Sequence, residues 1–304
     1  MVISKLNITT AHGDPHFWDG FTQFHAALPA LNDAGGSGYY ATRPNLSLNQ
    51  TSSVAAFTAT LLFPENTDTT AIDRLHGPLL DKLRQIPSAQ IQYASFAMPS
   101  MNKVISKALL GGVAAKFDTT GSNNILGSRL FSKDLLESKD GPERLTNAWK
   151  RIKTPPSSQF IGFVVAGGAV ASNADEIDSA VHPAWRKTVI HMGFTRSWDA
   201  NASIAEQHSI IRNMTDVEIP ILRGVEGEEN MGAYVNEASP YEPGFQKSFW
   251  GDNYEKLYAV KKRWDPKGLF ITRMGVGSED WDDAGVCSRV SEWKIPGLVP
   301  SSLL

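Results

Sequence analysis

Cysteine, long apolar runs and charge of one sign are all scarce in this chain. The single Cys287 cannot form an internal disulfide, so cysteine usage leaves the redox compartment open. The most apolar stretches, VISKLNITT and FIGFVVAGGAVA, are broken or flanked by polar residues and fall short of the roughly 18 to 20 residues a membrane-spanning helix needs. A net charge of -3 and a pI near 6.2, with Lys and Arg scattered along the chain, provide no basic field for a phosphate backbone, so neither nucleic acid nor a membrane is expected as a partner. Hydrolase and metal signatures are missing too: there is no Gly-X-Ser-X-Gly, Cys-X-X-Cys or His-Glu-X-X-His. The glycines of GGSG (Gly35 to Gly38), of the Gly111-Gly112 pair and of VVAGGAVA lack dinucleotide or P-loop spacing. Seven histidines are dispersed, and the one close pair, His12 and His16, reads as solvated residues at a helix start, so no metal site is expected.

What is present suits a folded domain. With 304 residues, 41% of them hydrophobic and 20% charged, the chain can fill a sizeable core. Strand-like runs cover Val2 to Thr10, Gly38 to Arg43, Ser53 to Phe63, Gln90 to Phe96, Asn124 to Phe131, Gln159 to Gly167 and Lys187 to Trp198. Helical periodicity covers Pro15 to Leu31, with Asp14 as the expected N-cap and Pro15 at the first position, then Asp68 to Gln85, Pro142 to Ile152, Ser203 to Met214 and Tyr254 to Trp264. In the last helix Asn253 is the expected cap and Leu257, Val260 and Trp264 the expected buried stripe. Strands joined without intervening helices imply hairpins. The fold class is therefore α+β, a largely antiparallel sheet of about seven strands with helices on one face. Lys153 to Ser158 (KTPPSS) reads as a loop. Met1 leads straight into strand-like sequence with no charged leader, so no signal peptide is expected. Asn-X-Ser/Thr sequons nevertheless stand at Asn7, Asn45, Asn49, Asn201 and Asn213; secretory ancestry and chance both account for them.

The segment from Gly232 to Trp281, and within it WGDNYEKLYAVKKRWDPKGLF, resembles the C-terminal segment of berberine-bridge-enzyme-like flavoproteins. NITTAHGDPHFWDGFTQFHAALPAL, ILGSRLFSKDLL and VVAGGAVA are similar to the substrate domain of the fungal members, whose flavin is held by an N-terminal domain of the PCMH, or vanillyl-alcohol-oxidase, type. The resemblance implies a substrate domain over 1–230, a C-terminal segment over 231–304 that packs back on the fold, and FAD as the cofactor. It also implies an FAD-linked oxidoreductase acting on a small, apolar or phenolic secondary metabolite. Family members are often secreted or vacuolar, and they commonly tether the flavin through a His and a Cys of the N-terminal domain. Cys287 does not correspond to that tether.

In relatives the tyrosine of a Tyr-X-Asn motif lies beside the flavin and takes the proton of a substrate alcohol while hydride goes to the flavin; here the motif is Tyr234 and Asn236. A phenol ionises only near pH 10 unless donors or a cation stabilise its anion, so such a base needs polar company. Asn236, Tyr234 and Asn253 are the expected cofactor contacts. Tyr40, Arg129, His191 and Trp198 are the candidates for the substrate pocket, with alternation placing Tyr39 and Tyr40 on opposite sheet faces. Two further readings stand beside oxidation: a cofactor-independent cyclase or isomerase that reuses the pocket, and a noncatalytic partner of a full-length oxidase. A homodimer or a flavin-bearing chain is the expected cover for any face that the flavin domain would occupy, and that face should be apolar.

Overall fold

The computed structural model describes residues 1–104, 123–156, 158–227 and 230–289. Gly111-Gly112, Ser157 of KTPPSS and 290–304 lie outside the described residues. Seven strands, β1 (Val2–Ala11), β2 (Ser37–Ser47), β3 (Ser53–Phe63), β4 (Gln90–Ala97), β5 (Asn124–Ser132), β6 (Phe160–Val164) and β7 (Thr188–Ser197), form one sheet in the order β4-β1-β3-β2-β6-β7-β5. Every pairing is antiparallel. Besides short helical turns at Met101–Lys103 and Gly168–Ser172, the helices among the described residues are α1 (Phe17–Asp33), α2 (Thr69–Leu83), α3 (Lys133–Glu137), α4 (Gly141–Arg151), α5 (Ile204–Asn213), α6 (Ile219–Arg223) and α7 (Tyr254–Trp264).

Helix α1 lies across the middle of one sheet face, flanked by α2 and α4. Its Phe17, Phe21, Phe24 and Leu28 recur every three or four residues and are all buried. Asp14 does not cap this helix: its carboxylate accepts from the His16 backbone N–H (2.9 Å) and from the Ser88 hydroxyl, so it closes a turn and the helix begins at Phe17. Asp68 and Ser203 do cap α2 and α5, the latter through a reciprocal capping box with Glu206. Burying the apolar faces of α1, α2 and α4 against Leu6, Ile8, Phe57, Phe160, Ile190 and Phe194 of the sheet builds one continuous core.

Tyr40 belongs to that core and not to a substrate pocket. Its hydroxyl meets His25 Nε2 at 2.7 Å, and its ring lies over the backbone of Gly162 on β6, where a Cβ would fall inside the ring. Trp198, just beyond β7, also packs on the main core. Both face the helices because the side chains of β2 and β7 alternate and the helix layer takes the even-numbered set.

A smaller apolar cluster, Ala233, Phe245, Phe249 and Tyr254 with Tyr258, Met274 and Val276, organises the C-terminal segment. The stripe expected on α7 is shifted. Tyr254 and Tyr258, four residues apart, face inward, and the Tyr258 hydroxyl bonds Asp280 at 2.9 Å, whereas Val260 and Trp264 point outward with Trp264 76% exposed. Leu269 (79%) and Phe270 (77%) are exposed beside it.

Replacing Gly162 with Ala should therefore lower the unfolding free energy by about 2 kcal/mol or more, because the Tyr40 ring has no room to retreat. Tyr40→Phe should cost about 1 to 3 kcal/mol by stranding His25 Nε2, and should leave ligand affinity of the opposite face unchanged; urea titration alongside a binding assay checks both.

Candidate functional site

On the side of the sheet away from the helices, β2, β6 and β7 place Tyr39, Phe163 and His191 in one cross-strand row: Tyr39 pairs with Phe163 and Phe163 with His191. Tyr39 meets Phe163 edge-on with ring centroids 5.5 Å apart, and Phe163 stacks on His191 at 5.3 Å. This row floors a cavity of about 610 Å³. Val165, Val170, Val181 and Trp185 form its apolar walls, and Tyr234 and Glu237 close it from the C-terminal segment.

The walls come from two turns. VVAGGAVA runs off β6 through Gly167 and Gly168, both at positive φ (84° and 46°), and turns Val165 and Val170 toward the cavity. Gly167 has no room for a Cβ because Asn32 of α1 packs there, its amide donating to Ala166 O at 3.0 Å. Farther on, Asn253 Nδ2 donates to the carbonyls of Ser179 (3.2 Å) and Val181 (2.8 Å), clamping the wall onto the start of α7. The Asn253 side chain therefore neither caps α7 nor points into the cavity as a cofactor contact.

Backbone pairing delivers Tyr234. Leu130 N donates to Gly232 O at 2.9 Å on the outer edge of β5, and Ala233 N donates to Ser248 O at 2.8 Å. A single 3₁₀ turn follows, with Glu237 N donating to Tyr234 O at 2.9 Å, so Tyr234 and Glu237, three apart, look the same way. Asn236 Nδ2 donates to the Tyr234 hydroxyl oxygen at 2.7 Å. The Tyr234 ring stands edge-on to both Trp185 and His191, with centroids 5.8 Å away in each case.

His191 Nδ1 lies 3.4 Å from a Glu237 carboxylate oxygen, a distance that suggests an ion pair, but burial works against charge on either partner. It pushes the imidazole down to about 4 and the carboxyl upward. At neutral pH the imidazole is uncharged. Its buried Nε2 has no hydrogen-bond partner among the described residues. Arg186, the one cation lining the cavity among the described residues, is spent on structure: its guanidinium donates to Val170 O at 2.8 Å and Asn173 Oδ1 at 2.6 Å.

The berberine and berberine-like family model matches residues 233–277, the stretch that carries Tyr234, Asn236 and α7. Among curated proteins, an FAD-linked oxidoreductase of Arthroderma benhamiae is 40% identical over 292 residues, 94% of this chain and 48% of the relative. The FAD-linked oxidoreductase malF of Malbranchea aurantiaca is 35% identical over 94% of this chain and 46% of its own length. The chain is similar to these FAD-linked oxidoreductases over nearly all of its own length, and its berberine-like match lies in the C-terminal segment. It spans about half the length of the curated relatives it matches. A solved VAO-type flavoprotein from Myceliophthora thermophila shares the fold with a TM-score of 0.75 at 21% identity, over 92% of this chain and 48% of that one. A glucooligosaccharide oxidase from Acremonium strictum does so at 0.57 and 17%, over 91% and 55%.

Of the expected site residues, Tyr234 and His191 line the cavity, and Asn236 reaches it through its bond to the Tyr234 hydroxyl. Arg129 does not: it is buried against Glu242, which also pairs with Arg223 at 2.5 Å, away from the lining residues. Sequence reading missed Phe163, Trp185 and Glu237, and of the Tyr39-Tyr40 pair it chose Tyr40, which faces the core, while Tyr39 lines the cavity. The i, i+3 spacing from Tyr234 was the available signal for Glu237.

Between pH 6.5 and about 4 the unfolded chain binds a proton at His191 that the native state refuses, so native stability should fall as pH drops through that window, by about 1.4 kcal/mol per pH unit for each such group. His25, buried and pushed down to about 4, adds the same dependence, while the raised Glu237 carboxyl opposes it. His191→Phe should remove one proton from the acid dependence, read as a shallower slope of unfolding free energy against pH than in the unsubstituted chain.

Proposed function

We propose that this chain is the substrate-binding and C-terminal part of an FAD-linked oxidoreductase that oxidises a small, apolar or phenolic alcohol, with Tyr234 as the base. The observation that carries the reading is the Tyr234 hydroxyl at the edge of an aromatic-floored cavity with the Asn236 amide on its oxygen at 2.7 Å. An N–H donor there stabilises negative charge as the phenol oxygen gives up its proton, the company such a base requires.

The cavity suits a flat ring system and a small apolar molecule: three aromatic side chains form the floor and four apolar ones the walls. It offers no cradle for a pyrophosphate, since Arg186 is already engaged by three acceptors of its own chain. The residues thus fit the ring of a flavin and leave its diphosphate to be held elsewhere. When bound, the flavin supplies the hydride acceptor.

The chain's own residues do the rest. Tyr39, Phe163 and Trp185 orient the substrate by stacking, Val165 and Val181 keep water from the reacting carbon, and Tyr234 accepts the hydroxyl proton. His191 stays neutral and adds no competing charge. Because one chain contributes Tyr234, His191 and Glu237 together, acid–base cyclisation or isomerisation without a flavin is the second reading.

The first measurement is an absorbance spectrum of the purified chain with and without FAD, read at the flavin band near about 450 nm. Retained flavin and alcohol-dependent bleaching support oxidation. A folded, colourless chain that refuses FAD yet binds phenolic ligands rejects it in favour of the second reading. With turnover in hand, Tyr234→Phe should lower kcat by roughly 10²- to 10⁴-fold at unchanged stability. Asn236→Ala should lower kcat less than Tyr234→Phe, because the developing phenolate loses its donor.

A further inference from the structure

We infer that Asn49 is the N-glycosylation acceptor of this chain, at the tip of the β2–β3 hairpin. Five sequons are written in the sequence, and the structure separates them. Asn7 sits mid-strand in β1, paired to Thr58 on one side and Gln92 on the other, and is only partly exposed. Asn213 ends α5 where the helix continues through a π turn into α6, and the hydroxyl of its Thr215 is buried. Asn45 is half-buried in the irregular stretch of β2 between Arg43 and Leu46. Asn201 is exposed, but the Ser203 hydroxyl of its sequon is committed to the α5 capping box, donating to Glu206 at 2.8 Å.

Asn49 alone combines exposure with a sequon hydroxyl turned to its own carboxamide. Asn49 Oδ1 accepts from Thr51 N at 2.9 Å and from Thr51 Oγ1 at 3.1 Å, inside a turn closed by Leu48 N on Ser52 O at 2.9 Å. Donors on the amide oxygen draw density from the nitrogen into the carbonyl and so acidify the N–H that the transferase's base must remove. All of these contacts span at most four residues, so a nascent chain can form them before the sheet exists.

The co-reactant is a lipid-diphosphate-linked oligosaccharide. The Asn49 amide nitrogen attacks the anomeric carbon, a C–N bond forms, the C–O bond to the diphosphate breaks, the lipid diphosphate departs and the nitrogen's proton passes to the transferase's base. The attached glycan stands over Leu48, which is 59% exposed, and covers an apolar side chain that otherwise meets water. Ten positions separate Asn49 from Tyr39, most of them along β2 and together about 30 Å of extended chain, so the sugar leaves the cavity free.

The test is secretion of the full chain from yeast behind a host leader, followed by peptide mass mapping before and after glycoamidase treatment, which converts an occupied Asn to Asp. Conversion at Asn49 in most molecules, its loss in Thr51→Val and its partial retention in Thr51→Ser are the expected results. A secreted chain without sugar, sugar at any other sequon while Asn49 is bare, or Thr51→Val that keeps full occupancy overturns the inference. Asn49→Gln should leave thermal unfolding and cavity ligand affinity unchanged within twofold; should it fail to fold, the two Thr51 variants still decide.

Discussion

The packing of Tyr40 over Gly162 sets the pairing of β2 with β6, and the cavity depends on that register. Tyr40, Gly162 and Met192 form one cross-strand row facing the helices, and Tyr39, Phe163 and His191 form the neighbouring row facing away. Because side chains alternate with period two, a slip by one residue would exchange the rows, putting a glycine in the cavity floor and a second aromatic under α1. His25 holds Tyr40 from the helix side at 2.7 Å, so helix layer and cavity floor are tied through one hydrogen bond and one missing Cβ.

Charge is distributed to the same end. Strong buried pairs lie off the cavity: Arg129 and Arg223 share Glu242, and Arg196 meets Glu218 at 2.6 Å. They fasten β5 and α6 to the C-terminal segment and β7 to the turn before α6, where removing one partner would strand the other. In the cavity itself burial disfavours charge on both His191 and Glu237, and Arg186 is spent on carbonyls and an amide. A mostly aromatic and apolar lining results, in which the Tyr234 hydroxyl with its Asn236 donor stands out chemically.

The C-terminal segment serves the site through backbone geometry more than through bulk. Two backbone hydrogen bonds, to the edge of β5 and to Ser248, place Tyr234; Asn253 holds the opposite wall by its carbonyls. His182 braces the junction, its Nδ1 accepting from Ala184 N at 2.9 Å and its Nε2–H donating to Lys247 O at 3.0 Å, with Gly232 and Gly251 close against its ring. The family motif is thus a segment whose turns and caps converge on one tyrosine.

Alternation and punctuation in the sequence alone determined the seven strands, the main helices and the α+β class, because period-two and period-3.6 burial leave a local imprint. The ordered pattern around Tyr234 and Asn236 likewise carries the resemblance to berberine-like proteins, and it pointed to the two residues whose side chains meet beside the cavity. Only the tertiary structure decided which tyrosine of the Tyr39-Tyr40 pair meets the cavity, since two adjacent identical residues carry the same local signal and the choice belongs to the helix that covers one face. Packing also turned α7 by its tyrosines, leaving Trp264 outward, and sent Arg129 to Glu242, a partner 113 residues away. Such pairings have no local imprint: they exist only once distant elements have been brought into contact.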